Sequence, residues 1–93
     1  MSREDYEKVR GLVSRIDVVS NSADIMRKII DGFNKNGGTA RLYANTEGER
    51  YETELSTDTA KIAFQEILKS YNNFILKCKN EIDEIINRIT EME

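Results

Sequence analysis

The sequence predicts a mostly helical α+β fold with two short N-terminal helices, a β-hairpin and one long, coiled-coil-like C-terminal helix. Three observations predict it. Apolar residues recur at helical spacing before residue 36, the apolar period changes to two between residues 39 and 55, and helical spacing returns after residue 57. A chain of 93 residues suits a single domain. We divide residues 1–93 into a helical segment (1–36), a hairpin (39–55) and a long helix (57–93).

The first helix is predicted to begin at Ser2, followed by Glu4 and Asp5. A serine hydroxyl accepts hydrogen bonds from free amides at a helix start, and acidic side chains favour the positive end of the helix dipole. Apolar residues then follow one stripe at steps of three and four: Tyr6, Val9, Leu12, Val13, Ile16 and Val19.

The polar run Ser20, Asn21 and Ser22 interrupts this stripe and predicts a boundary, because Asn21 or Ser22 can cap a new helix. The second helix carries Ile25, Met26, Ile29, Ile30 and Phe33 on one face. Gly37 and Gly38 end it, since glycine tolerates the left-handed backbone that closes a helix. No proline separates the two helices, so a single kinked helix remains an alternative.

The hairpin is predicted from residues that alternate in two strands of about five residues each. Ala40, Leu42 and Ala44 point one way, while Arg41 and Tyr43 point the other. A turn containing Gly48 joins this strand to a second one, over 50–55. Isolated hairpins are marginally stable in water, so either the apolar face lies on a helix or an edge pairs with another chain.

The long helix is predicted to begin near Ser56, Thr57 and Asp58 and to continue to Glu93, because no glycine or proline follows. From Ala60 to Met92 its apolar residues recur at steps of three and four, with two successive steps of four around Cys78. This is the pattern of a coiled-coil seam with one stutter.

A helix of this length spans roughly 52 Å, whereas a compact chain of this size has a diameter on the order of 30 Å. Two explanations compete: the N-terminal helices lie end to end along it, or its far half packs against other copies. We expect a mixture of the two. The far half is rich in isoleucine, which favours assemblies larger than a dimer. We therefore predict a homo-oligomer, a trimer or larger, with an interface that comprises Phe74, Cys78, Ile82, Ile85, Ile86 and Ile89.

Composition excludes several classes of function. The chain has no histidine, one cysteine and a net charge of −3, which argues against histidine-based catalysis, Cys/His zinc sites, disulfide frameworks and direct binding of nucleic acid. Cys78 lies on the seam and is predicted to be buried filler. We expect no enzymatic activity, no cofactor and no metal. Without a membrane-spanning run or a signal-like start, we expect a cytoplasmic protein.

Two candidate binding sites remain. Arg41, Tyr43, Arg50 and Tyr51 combine guanidinium groups and aromatic rings, which hold phosphates and stack on bases, although neighbouring glutamates offer the arginines cross-strand partners instead. Asn72 and Asn73 place amides on the long helix, where they could line a polar pocket between chains or simply face solvent.

The leading hypothesis is a non-enzymatic interaction module that self-associates through its long helix and presents the hairpin as a binding surface. The first alternative is an oligomer that sequesters a small anion or nucleotide. The layout is similar to that of small phage-encoded proteins, some of which inhibit host defence by sequestering nucleotide signals, and this resemblance implies such a role in the host cytoplasm. No motif carries the resemblance. The second alternative is an acidic inhibitor of a nucleic-acid-binding enzyme, because five acidic residues accompany one arginine from Glu81 onward.

Overall fold

Two long antiparallel helices joined by a β-hairpin make up the fold, in a computed structural model that describes residues 2–92. The elements are α1 (Arg3–Asn36), β1 (Ala40–Thr46), β2 (Glu49–Leu55) and α2 (Thr57–Met92). The mostly helical architecture, the hairpin and the long C-terminal helix are therefore confirmed. Glu93, the predicted end of the long helix, lies outside the described residues. Within residues 2–92, neither helix is both long and apolar enough to cross a membrane.

The prediction of two short N-terminal helices is wrong, because α1 runs without interruption for 34 residues. It begins as predicted: the Ser2 Oγ accepts a hydrogen bond from the Asp5 amide at 3.1 Å. It ends at Gly37, whose φ of 67° is left-handed and whose amide donates to the Phe33 carbonyl at 2.9 Å. Both ends therefore satisfy backbone groups that a helix terminus would otherwise leave unpaired.

The helix continues through the polar run because its buried stripe continues there. Val19, Ala23 and Met26 follow one another at steps of four and three, and Ala23 is completely buried. The Ser22 hydroxyl donates to the Val18 carbonyl at 3.4 Å, so this side chain bonds within the helix rather than capping a new one. Packing of this stripe outweighs the weak capping preference of Asn21 and Ser22.

Contacts between α1 and α2 extend along the whole pair. Near the hairpin, the rings of Phe33 and Phe64 meet edge to face. Near the other end, Arg88 Nη2 donates to Asp5 Oδ1 at 3.2 Å. Between them lies a cluster centred on three buried side chains, Leu12, Cys78 and Ile85. The N-terminal helical segment therefore lies along the long helix within a single chain, as the first of the two explanations expects. It does so as one helix rather than two.

The hairpin is longer than predicted, with two strands of seven residues in antiparallel register. Its two-residue turn consists of Glu47 and Gly48, with φ of 46° and 85°. Positive φ at both central positions defines the type I′ turn, which matches the twist of the flanking strands. Thr46 pairs with Glu49 beside the turn, and Ala40 pairs with Leu55 at the base.

The molecule is thin and extended. Its principal extents are 56 × 36 × 15 Å and its radius of gyration is 18.4 Å, against about 12 Å for a compact chain of this length. Its accessible surface is 7466 Å², whereas a compact monomer of this mass exposes about 5,500 Å². One chain therefore exposes about 2,000 Å² more surface than a compact monomer would.

Candidate binding surfaces

One face of the hairpin is charged. It carries the side chains of alternate residues on both strands: Arg41, Tyr43, Asn45, Arg50, Glu52 and Glu54. The Arg41 Nε lies 2.9 Å from Glu52 Oε1, and the Arg50 guanidinium lies over the Tyr43 ring, 4.9 Å from its centroid. Both contacts join diagonal neighbours across the strands, which side chains of this length can reach.

The two arginines predicted to bind anions therefore have partners within the hairpin. Arg41 is paired with a carboxylate, and Arg50 is stacked on a tyrosine. Tyr51 lies on the opposite face, where its hydroxyl donates to Glu49 Oε2 at 2.8 Å. The structure thus brings Arg41, Tyr43 and Arg50 together, and separates Tyr51 from them.

The other face of the hairpin is apolar and open. Leu42 and Ala44 lie opposite Thr53 and Tyr51, respectively, and the exposed fractions of Leu42 and Tyr51 are 59% and 58%. Only at the base, at Ala40 and Leu55, is this face half-buried. Among residues 2–92, neither helix covers this face beyond its base. The expectation that the apolar face of the hairpin packs on a helix is therefore not met within the described part of a single chain. Pairing of a hairpin edge with another chain remains a prediction.

The two candidate asparagines have different surroundings. Asn72 Oδ1 accepts a hydrogen bond at 3.2 Å from Arg27 Nη2, and Nη1 of the same arginine is 2.8 Å from Asp24 Oδ1. Asn72 thus contributes to the contact between the helices. Asn73 is exposed on the next position of α2. A role for either residue in binding a ligand remains a prediction.

The residues predicted to form an oligomer interface fall into two groups. Cys78 and Ile85 are buried against α1, and Ile82 and Ile89 pack against the same cluster. Phe74 and Ile86 are exposed. A single chain therefore covers most of the predicted seam with its own α1, and contact of these residues with a second copy remains a prediction.

A further apolar surface, which the sequence analysis did not single out, lies on one flank of the helix pair. We call it the apolar strip: Val18, Ile25, Ile29, Ile67 and Phe74. Val18 and Phe74 line one shallow groove together with Ser14, Arg15 and Val19. The strip residues have exposed fractions of 38% to 64%.

The strip follows from helical periodicity. Ile25 lies two turns beyond Val18 on α1, and Ile67 lies two turns before Phe74 on α2. Because the helices are antiparallel, the steps from Val18 to Ile25 and from Phe74 to Ile67 both lead from the shared groove toward the hairpin. Between positions 18 and 29 the strip covers about 17 Å. The sequence feature that could have revealed the strip is the seven-residue spacing of Val18 and Ile25. These two residues lie on a different side of α1 from the buried stripe of Val19, Ala23 and Met26.

Comparison of the chain with protein-family models, with curated proteins and with solved structures gives no match.

Proposed function

We propose that the protein is a non-enzymatic binding module that self-associates through the apolar strip and presents its hairpin as a second contact surface. The observation that carries this proposal is the excess exposed area of about 2,000 Å² over a compact monomer. A standard protein interface removes about 800 Å² from each partner. The excess is thus more than enough to supply one such interface.

The strip is the part of the helix pair best suited to that interface. It brings together five large apolar side chains from both helices on one flank, which exceeds the scattered exposure that monomeric surfaces ordinarily show. Packing the strip of one copy on that of another covers both and gives a four-helix arrangement. Ile86, by contrast, lies about 120° around α2 from Phe74, off the strip.

The test compares two aspartate substitutions at equally exposed positions. Ile25 lies in the strip with an exposed fraction of 58%, and Leu76 lies on the outer side of α2 with an exposed fraction of 57%. Ile25→Asp places an unpaired charge in the proposed interface and is expected to dissociate the assembly, whereas Leu76→Asp is expected to leave it intact. Sedimentation velocity at tens of micromolar measures the mass.

Two results contradict the proposal. One is a monomeric wild-type chain at that concentration, and the other is an identical mass for the Ile25→Asp and Leu76→Asp variants. Circular dichroism of both variants confirms that the helices remain folded. The anion-binding and acidic-inhibitor hypotheses remain predictions, and the internal pairing of Arg41 and Arg50 favours the interaction module over the first of them.

A further inference from the structure

We propose that the hairpins of two copies pair along their β1 edges, antiparallel and about a two-fold axis at Tyr43, to form a four-stranded sheet. This inference rests on the self-association proposed above and adds a second contact to it. The occupant of the open hairpin edge is then another copy of the same chain.

The hairpin needs a further strand or a covering surface. Every side chain from Arg41 to Glu54 is exposed, and the sheet contains two strands. A two-stranded ribbon is marginally stable in water, and three or more strands with an apolar face are needed for a stable sheet. Pairing two hairpins edge to edge meets that requirement.

The register of the hairpin determines which backbone groups point outward. Thr46 and Glu49 flank a two-residue turn, so they exchange both backbone hydrogen bonds, and such pairs alternate with unbonded ones along the ladder. On β1 the outward amides and carbonyls accordingly belong to Arg41, Tyr43 and Asn45. On β2 they belong to Arg50, Glu52 and Glu54.

Charge distinguishes the two edges. β1 contains one charged side chain in seven residues, Arg41, whereas β2 contains four: Glu49, Arg50, Glu52 and Glu54. Charged side chains protect an edge strand against pairing, because a neighbouring strand brings like charges together and desolvates them. Two β2 edges paired about Glu52 place the Glu52 carboxylates of the two copies directly opposite each other, while Arg50 of each copy faces Glu54 of the other. The β1 edge carries little such protection.

Self-pairing of β1 about Tyr43 is consistent with its outward groups. Tyr43 then exchanges hydrogen bonds with Tyr43 of the second copy, and Arg41 does so with its Asn45. On the apolar face, Leu42 lies beside Ala44 of the second copy, and Tyr51 extends the row on each outer strand. The two small apolar faces become one continuous face across four strands.

Residue-resolved hydrogen exchange of the wild-type protein tests this, at a concentration where sedimentation detects the assembly. The outward amides of the β1 residues Arg41, Tyr43 and Asn45 are expected to exchange at least about tenfold more slowly than those of Arg50, Glu52 and Glu54 on β2. The β2 amides are a control within the same hairpin. Equal exchange on both edges, or slow exchange on β2 alone, overturns the inference.

Two proline variants make the test specific to one edge. Tyr43 and Glu52 are cross-strand partners, and replacing either with proline removes an outward amide without removing a bond within the hairpin. Tyr43→Pro is expected to abolish the slow exchange at Arg41 and Asn45, whereas Glu52→Pro is expected to retain it. Slow exchange that persists in Tyr43→Pro also overturns the inference. Backbone chemical shifts report whether the hairpin of each variant remains folded. If a variant hairpin unfolds, the comparison of β1 and β2 amide exchange in the wild-type protein decides the test.

Sedimentation separates failure of this inference from failure of the proposed function. An assembled wild-type protein with fast β1 exchange refutes the edge pairing and leaves association through the apolar strip intact. A monomeric wild-type protein refutes both.

Discussion

The ring of Phe33 meets the ring of Phe64 edge to face, with centroids 5.3 Å apart and planes at 81°. This contact lies where the helices approach the hairpin, and a Cβ on Gly38 would lie 3.6 Å from the Phe33 ring. Edge-to-face aromatic pairs contribute about 0.5–1.5 kcal/mol beyond the area that they bury. Phe33 is thus a buried apolar anchor between the two helices at the end nearest the hairpin.

Replacing this anchor is expected to weaken the fold strongly. Phe33→Ala removes a buried ring and should lower the free energy of unfolding by about 3 kcal/mol or more. Leu76→Ala, at an exposed position, should change it by less than about 0.5 kcal/mol. Urea unfolding at one fixed protein concentration measures both, since self-association raises apparent stability. Equal effects of the two variants would show that Phe33 is not an anchor.

Cys78 is expected to report opening of the helix pair. Its side chain is 3% exposed and packs beside Ile85, so a thiol reagent should react only after the helices separate locally. Ile85→Ala should accelerate labelling by about thirtyfold if it lowers stability by about 2 kcal/mol. Ile86→Ala, at the neighbouring exposed position, should change the rate little. Rapid labelling of the wild-type thiol would contradict the buried placement.

The turn of the hairpin is expected to respond to residues that favour positive φ. Glu47 has a φ of 46°, a conformation more readily adopted by asparagine. Glu47→Asn should raise the folded population of the hairpin, and Gly48→Ala should lower it at a cost of about 1 kcal/mol. Strand chemical shifts measure that population. Glu54→Asn removes the same charge from an extended residue and should give no gain.

The Arg41–Glu52 ion pair is expected to contribute little to stability. The two side chains are 61% and 40% exposed, and such pairs are typically worth about 0.2–1 kcal/mol. A double-mutant cycle with Arg41→Ala and Glu52→Ala should give a coupling energy in that range that declines with added salt. A larger, salt-insensitive coupling would indicate that an assembly buries this face.

The sequence predicted the elements better than their boundaries. The period of two from Ala40 onward and the capped helix after Ser56 were both clear, because each signal is local. The run Ser20–Ser22 favours a helix boundary by local capping preference, and the stripe of large apolar residues stops at Val19. Ala23 continues that stripe, but a single alanine carries little hydrophobic signal, and its burial becomes apparent only when α2 lies against it.

The candidate surfaces were harder to predict for the same reason. Alternation placed Arg41 and Tyr43 on one face, but it could not show that Glu52 pairs with this arginine. The helical spacing places Ile25 and Met26 on one face, whereas in the folded chain Met26 is half-buried and Ile25 is exposed. Which flank of an amphipathic helix remains open depends on how its partner helix is rotated, and this is a tertiary property.

The antiparallel pairing also determines how the molecule yields to mechanical force. Contacts between the helices join residues 45 apart in sequence at Arg27 and Asn72, and 83 apart at Asp5 and Arg88. The outermost turns lie side by side at the end distant from the hairpin. Tension applied across Asp5 and Arg88 is therefore expected to load the contacts one turn after another and to peel the helices apart from that end toward the hairpin, reaching the aromatic pair of Phe33 and Phe64 late.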